Sequence, residues 1–138
     1  MTYQQQISVT AKGHGEMHDL TEQVAKAVTT SGSKPVPSTF STLGVRAPSA
    51  RLNSSRAWST TSPAILDKLI PPSRNYGHEQ AWHDGNGHSR LQATLLGPWL
   101  TVPVADGELI LGTWQQIFHL ECDVRGRRRT VVVTVVRD

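Results

Sequence analysis

The sequence predicts an α+β domain with a mainly antiparallel sheet and two helices. Three observations carry this. Apolar residues alternate with period two in short runs at the start of the chain and throughout its last third. Two segments between them carry helical spacing with start and stop residues. An Asp106–Gly107 pair separates two of the late runs, and both positions of such a hairpin turn need positive φ. At 138 residues the chain makes one domain, spanning 1–138.

The elements follow in order. Gln4 to Ala11 alternates, with Ile7 and Val9 on one face, and reads as the first strand. "DLTEQVAKAVTTSG" reads as a helix with Asp19 as cap, Glu22 completing a capping box, and Gly32 as its stop. Leu20, Val24, Ala27 and Val28 share its apolar side. "SPAILDKLIPP" reads as a second, short helix with Ser62 as N-cap, Pro63 in the first turn and Pro71–Pro72 as terminators. Ile65, Leu66, Leu69 and Ile70 form its apolar side. "LQATLLG", "WLTVPVA", "ELILG", "WQQIFHLECD" and "RTVVVTVV" are strand candidates, the last two joined by a looser "VRGRR" hairpin. Both faces of the last run are apolar, which predicts burial on both sides, in part by another subunit.

Composition narrows the function classes. The single cysteine, Cys122, leaves no intramolecular disulfide and fits a reducing compartment. The first twenty residues lack the apolar run of a signal peptide, and no segment approaches the length of a membrane span, so a soluble cytoplasmic protein without membrane partners is expected. The net charge is only +3, and the cluster Arg125, Arg127, Arg128 and Arg129 reads as a solvated hairpin tip more readily than as a nucleic-acid surface.

Residues 34–62 do not fit a compact domain. "KPVPSTFSTLGVRAPSARLNSSRAWSTTS" is rich in Ser and Thr, lacks acidic residues and keeps no period, so it is expected to be poorly ordered.

The loop "GHEQAWHDGNGHSR", residues 77–90, concentrates the chemistry. Imidazoles and carboxylates among glycines suit a divalent cation such as Zn²⁺, and equally acid–base work near neutral pH. The spacing is not that of a helix-borne HExxH site, and a polar connector is the plainer alternative.

Residues 63–138, and less closely 4–32, resemble the YjbQ-like family, often labelled secondary thiamine-phosphate synthase. The carrying stretches are "WHDGNGH", "LLGPWLTVPV" and "DGELILGTWQQI". The resemblance implies a compact two-layer β arrangement assembled as a homotrimer, with a polar pocket near a subunit boundary. It implies His78, Asp84 and His88 as catalytic residues and as ligands for a weakly held divalent metal. It also implies a small phosphorylated molecule as partner, and no nucleic acid. Where the family reads "GNGHSH", this chain has Arg90, and a guanidinium cannot replace an imidazole as a metal ligand.

Residues 34–62 carry no such resemblance. Synonymous codons for "VPSTFSTLGVRAPSARLNSSRAWSTTSP", read one base out of frame, permit "AVNVFNVGSTRAISTIEFEPGLVHDIP", which is similar to family sequence. Two compensating indels are expected, near Lys34–Val36 and Ser62–Pro63. They remove a carboxylate that the family supplies, so a possible transferase of thiamine-phosphate-synthase type would here be impaired, with a non-catalytic pseudoenzyme as the alternative.

Gly112 and Thr113 in "LGTWQ" offer backbone N–H groups for a bound anion or simply a constrained turn, with Gln115 beside them as a further binding candidate. Trp82, Trp99 and Trp114 read as core or interface packing, His14 and His18 as solvated, and His119 as structural. Nothing near Cys122 in sequence would activate its thiol.

Overall fold

The computed structural model describes residues 2–32, 51–52 and 56–136, with backbone alone at 51–52 and 56–58. It is α+β, with antiparallel sheets and few helices. Strand β1 (Thr2–Ala11) pairs antiparallel along its whole length with β7 (Arg127–Val136), Ile7 opposite Val131. Strand β6 (Gln116–Leu120) lies between β2 (Met17–Asp19) and β3 (Arg51–Leu52) in a second sheet. A third ribbon, β4 (Val104–Ala105) and β5 (Glu108–Leu109), turns at Asp106 (φ +53°) and Gly107 (φ +77°), as the sequence predicts.

The core follows from alternation. Ile7, Val9, Val131, Val133 and Val135 point to one face of the β1–β7 ribbon and are buried. Helix α1 (Thr21–Thr30) lays Val24, Ala27 and Val28 against this cluster, which Ile117, Val102 and Val104 complete. The other face of β7 is half covered in one chain; Val136 is 40% exposed. A smaller cluster of Leu66, Phe118, Leu120 and Cys122 packs on the opposite side of β6. Burying Phe118 is worth about 2–3 kcal/mol in that cluster.

Several expectations need correction. Leu20, not Asp19, sits at the α1 N-cap; the Asp19 carboxylate accepts the Thr21 N–H at 2.9 Å and does the capping from one residue further out. Helix α2 runs Arg56–Leu69, so Ser62 is not its cap and Pro63 lies inside it. Proline removes one ladder hydrogen bond without ending the helix. Of the expected apolar side only Leu66 is buried, while Ile65 and Leu69 are exposed. "LQATLLG" is not a strand but part of α4 (Gly87–Leu96), because its buried residue is Gln92 and the exposed ones include Leu91 and Leu95. "VRGRR" does not join paired strands: β7 leaves β6 to pair with β1. Within 34–62, Arg51–Leu52 pairs with β6 and Arg56–Ser62 is helical; the rest of the segment expected to be poorly ordered, 34–50 and 53–55, lies outside the described residues. No described helix is long and apolar enough to cross a membrane.

Candidate functional site

The 77–90 loop folds as two helix starts. Helix α3 (His78–Trp82) ends on His83 in the left-handed region (φ +51°), and Gly85 (φ +74°) turns the chain into α4. Gly87 lets this turn close: a Cβ there would lie 2.7 Å from Tyr76 Cβ, too close for any side chain. The turn brings His78 Nε2 to 2.9 Å from Asp84 Oδ1, which also accepts the Asn86 N–H at 3.0 Å. That backbone N–H is the largest cause holding the Asp84 carboxyl below its ordinary value; its contact with His78 adds to it.

Glu79 completes this group. It is 7% exposed, its Oε1 has no hydrogen-bond partner among the described residues, and Arg74 Nη1 lies 3.5 Å from its other oxygen. One ligand atom each from His78, Glu79 and Asp84 lies within 4.8 Å of the others. One imidazole and two carboxylates, one of them with an unpaired buried oxygen, fit a divalent cation. His88 is not part of this group: its ring is fully buried and directed at His14, Nε2 to Nδ1 3.4 Å.

Behind Asp84 opens a cavity of about 510 Å³. Asn86 at the α4 N-cap and Ser89 and Arg90 on α4 line it, with His119, Glu121 and Asp123 from β6 and its continuation, and Arg127 and Arg129 from β7. Arg129 grips Glu121 through two bonds of 2.7 Å and reaches Asp123 at 3.3 Å, while Arg127 Nε holds Asp123 at 2.7 Å. Burial opposes ionisation of Glu121 and Asp123, yet both carboxyls sit below their ordinary values. The Arg129 bonds outweigh burial at Glu121, and the Arg125 N–H and Arg127 do so at Asp123. Arg90 makes no ion pair among the described residues.

Gly112, Thr113 and Gln115 stand apart from this cavity. The Gly112 N–H donates to Gln115 Oε1 at 2.9 Å and the Gln115 N–H to the Gly112 carbonyl at 2.9 Å, so these residues close a turn on themselves. Trp82, Trp99 and Trp114 are 66%, 68% and 73% exposed, so they are not core, and of the two expected roles interface packing is the one left to them. His14 and His18 are not free in solvent: His14 contacts Asp67 and the Cys122 carbonyl, and His18 Nε2 lies 2.9 Å from Glu16. The arginine cluster is not a free hairpin tip, since Arg127 and Arg129 are tied to carboxylates. Cys122 is buried, and burial pushes its thiol up to about 12.

Sequence reading missed Glu79, His14 and the Glu121–Asp123–Arg127–Arg129 lattice. The last had a signal: acids and arginines each repeat at i, i+2, which puts each pair on one side of extended chain.

This antiparallel α+β fold is that of a known family. The family model described as UPF0047 protein YjbQ-like matches residues 5–138, and the chain belongs to that family. A UPF0047 protein of Methanothermobacter thermautotrophicus is 34% identical over 128 residues, covering 92% of this chain and 87% of that one. A UPF0047 protein of Archaeoglobus fulgidus is 44% identical over 68 residues, a match spanning about half the length of that relative (52%) and 49% of this chain. A solved YbjQ-like protein of unknown function from Sulfolobus solfataricus superposes with TM-score 0.84 at 29% identity, covering 100% of this chain and 99% of that one.

Proposed function

We propose that this chain binds a small phosphorylated molecule in the cavity behind Asp84, with the phosphate at Arg90. The observation that carries this is Arg90 itself, a cavity-lining guanidinium without an ion pair among the described residues, one turn into α4. A guanidinium matches phosphate oxygens with two parallel donors, and a helix N-terminus adds favourable dipole. Arg127 and Arg129, already neutralised by Glu121 and Asp123, shape the wall rather than supply free charge.

The finer reading is a transferase of thiamine-phosphate-synthase type. In it the His78–Asp84 pair accepts or returns a proton at His78, and Asp84 holds the ring in place. A divalent cation, if bound, would be held weakly by His78, Glu79 and Asp84 and would polarise a phosphoryl oxygen. The alternative is a non-catalytic binding protein, a pseudoenzyme; Arg90 in place of a family histidine favours it. We further propose a cytoplasmic homotrimer that binds no nucleic acid, and that residues 36–62 are encoded out of frame with the rest. The nucleotide sequence decides the last: a stop codon or unrelated residues in the shifted frame overturns it.

The test is turnover. Incubation with the phosphorylated pyrimidine and thiazole precursors of thiamine phosphate, followed by chromatography, separates the readings. Product formation lost in His78→Ala supports the transferase. No product, with saturable phosphate binding, supports the pseudoenzyme.

A further inference from the structure

We propose that His14, His88 and the Cys122 carbonyl form a second cation site, selective for a borderline ion of the zinc type and separate from the His78–Glu79–Asp84 group.

The local tautomer leads there. His14 Nε2 lies 2.7 Å from Asp67 Oδ1. A carboxylate only accepts, so Nε2 carries the hydrogen. Asp67 is itself fixed, because buried Gln92 donates Nε2 to the same oxygen at 2.9 Å and to the Ile70 carbonyl at 3.0 Å. A carboxylate behind a histidine, held in turn by a further hydrogen bond, is the arrangement that orients metal-binding imidazoles.

The other nitrogen faces a carbonyl and a second imidazole. His14 Nδ1 is 3.0 Å from the Cys122 carbonyl oxygen and 3.4 Å from His88 Nε2. Two nitrogens bound to a tetrahedral zinc at about 2.0–2.1 Å each lie about 3.4 Å apart. The rings meet edge to face at 74° with centroids 4.9 Å apart, so they do not stack. The contact between the two rings needs one proton, and a cation bound to both nitrogens takes its place.

His88 supports the same conclusion. The ring is 0% exposed and has the Gly85 and Cys122 carbonyls against it. Cys122 contributes its carbonyl, while its thiol is turned to the Leu120 carbonyl at 4.0 Å. His14 is 22% exposed at its side chain, which leaves room for water to complete the shell.

The experiment is Zn²⁺ titration of the full chain against a chromophoric chelator, with ¹⁵N NMR of the imidazoles on the unsubstituted protein. One equivalent is expected to shift His14 Nδ1 and His88 Nε2 together. His14→Gln should weaken it at least tenfold, and Asp67→Asn roughly 10–100-fold. His78→Ala, which cripples the other group, should leave this equivalent in place, so failure of the proposed function and failure of this site are distinguishable. Zinc affinity unchanged in His14→Gln overturns the proposal. So does a His14 ring carrying hydrogen on both nitrogens in the presence of equimolar zinc, which would make it a structural imidazolium.

Discussion

Arg129 holds Glu121 in a two-pronged grip, Nε to Oε2 and Nη2 to Oε1, each 2.7 Å. Glu121 is 3% exposed at its side chain, Arg129 38%. The pair ties β7 to the chain leaving β6 and forms one wall of the cavity. Glu121→Gln keeps the shape but removes the charge. It should cost about 2 kcal/mol, the scale of a charged hydrogen bond lost at a buried carboxylate. Urea unfolding measures this.

The same pair sets an acid response. The Glu121 carboxyl is held below its ordinary value, so the folded chain binds fewer protons than the unfolded one. Its stabilisation is complete above the usual glutamate value of about 4.3 and is lost as pH falls below that, toward the folded value. Asp123 has the same sign. Stability followed from pH 6 downward should fall less steeply in Glu121→Gln than in the parent chain.

Gly87 has no room for a side chain. A Cβ would meet Tyr76 Cβ at 2.7 Å. Gly87→Ala should destabilise by roughly 1–3 kcal/mol, the range for overpacking. Tyr76→Ala should not rescue it, because the clashing atom is the Cβ that alanine retains. Thermal melts of the single and double variants check both statements.

Cys122 should resist alkylation in the folded chain, because burial pushes its thiol up to about 12 and the reagent needs thiolate. Labelling with iodoacetamide at pH 8 should be slow in buffer and fast in denaturant. Rapid labelling in buffer would show that the strand end opens.

Light scattering checks the assembly. The half-covered outer face of β7 and the exposed Trp99 and Trp114 are what a trimer would cover, so the expected mass is three times 15.1 kDa. A monomer would leave these apolar groups unexplained.

The strands were legible where one face is buried. Ile7 and Val9, or Val131, Val133 and Val135, alternate because a two-stranded ribbon hides one side. Helix α4 was not legible, since its buried side chains are His88 and Gln92 while Leu91 and Leu95 face out, which inverts the usual pattern. Helix α2 was misread at Ser62–Pro63, where a good start signal sits inside a longer helix. At the site, His78 and Asp84 were visible as neighbours in one loop. Glu79 was hidden because a carboxylate on a polar helix ordinarily points outward. The His14–His88 contact joins residues 74 positions apart, a distance no local pattern spans.

The proposed function turns on a phosphate held at Arg90. Calorimetric titration with inorganic pyrophosphate tests it most directly, using the parent chain and Arg90→Ala. A charge-assisted contact is worth about 1.5–3 kcal/mol, so saturable binding should weaken roughly 10–100-fold in the variant, while exposed Trp114→Ala leaves it unchanged. Equal affinity in parent and Arg90→Ala, or no saturable binding in either, would contradict the account.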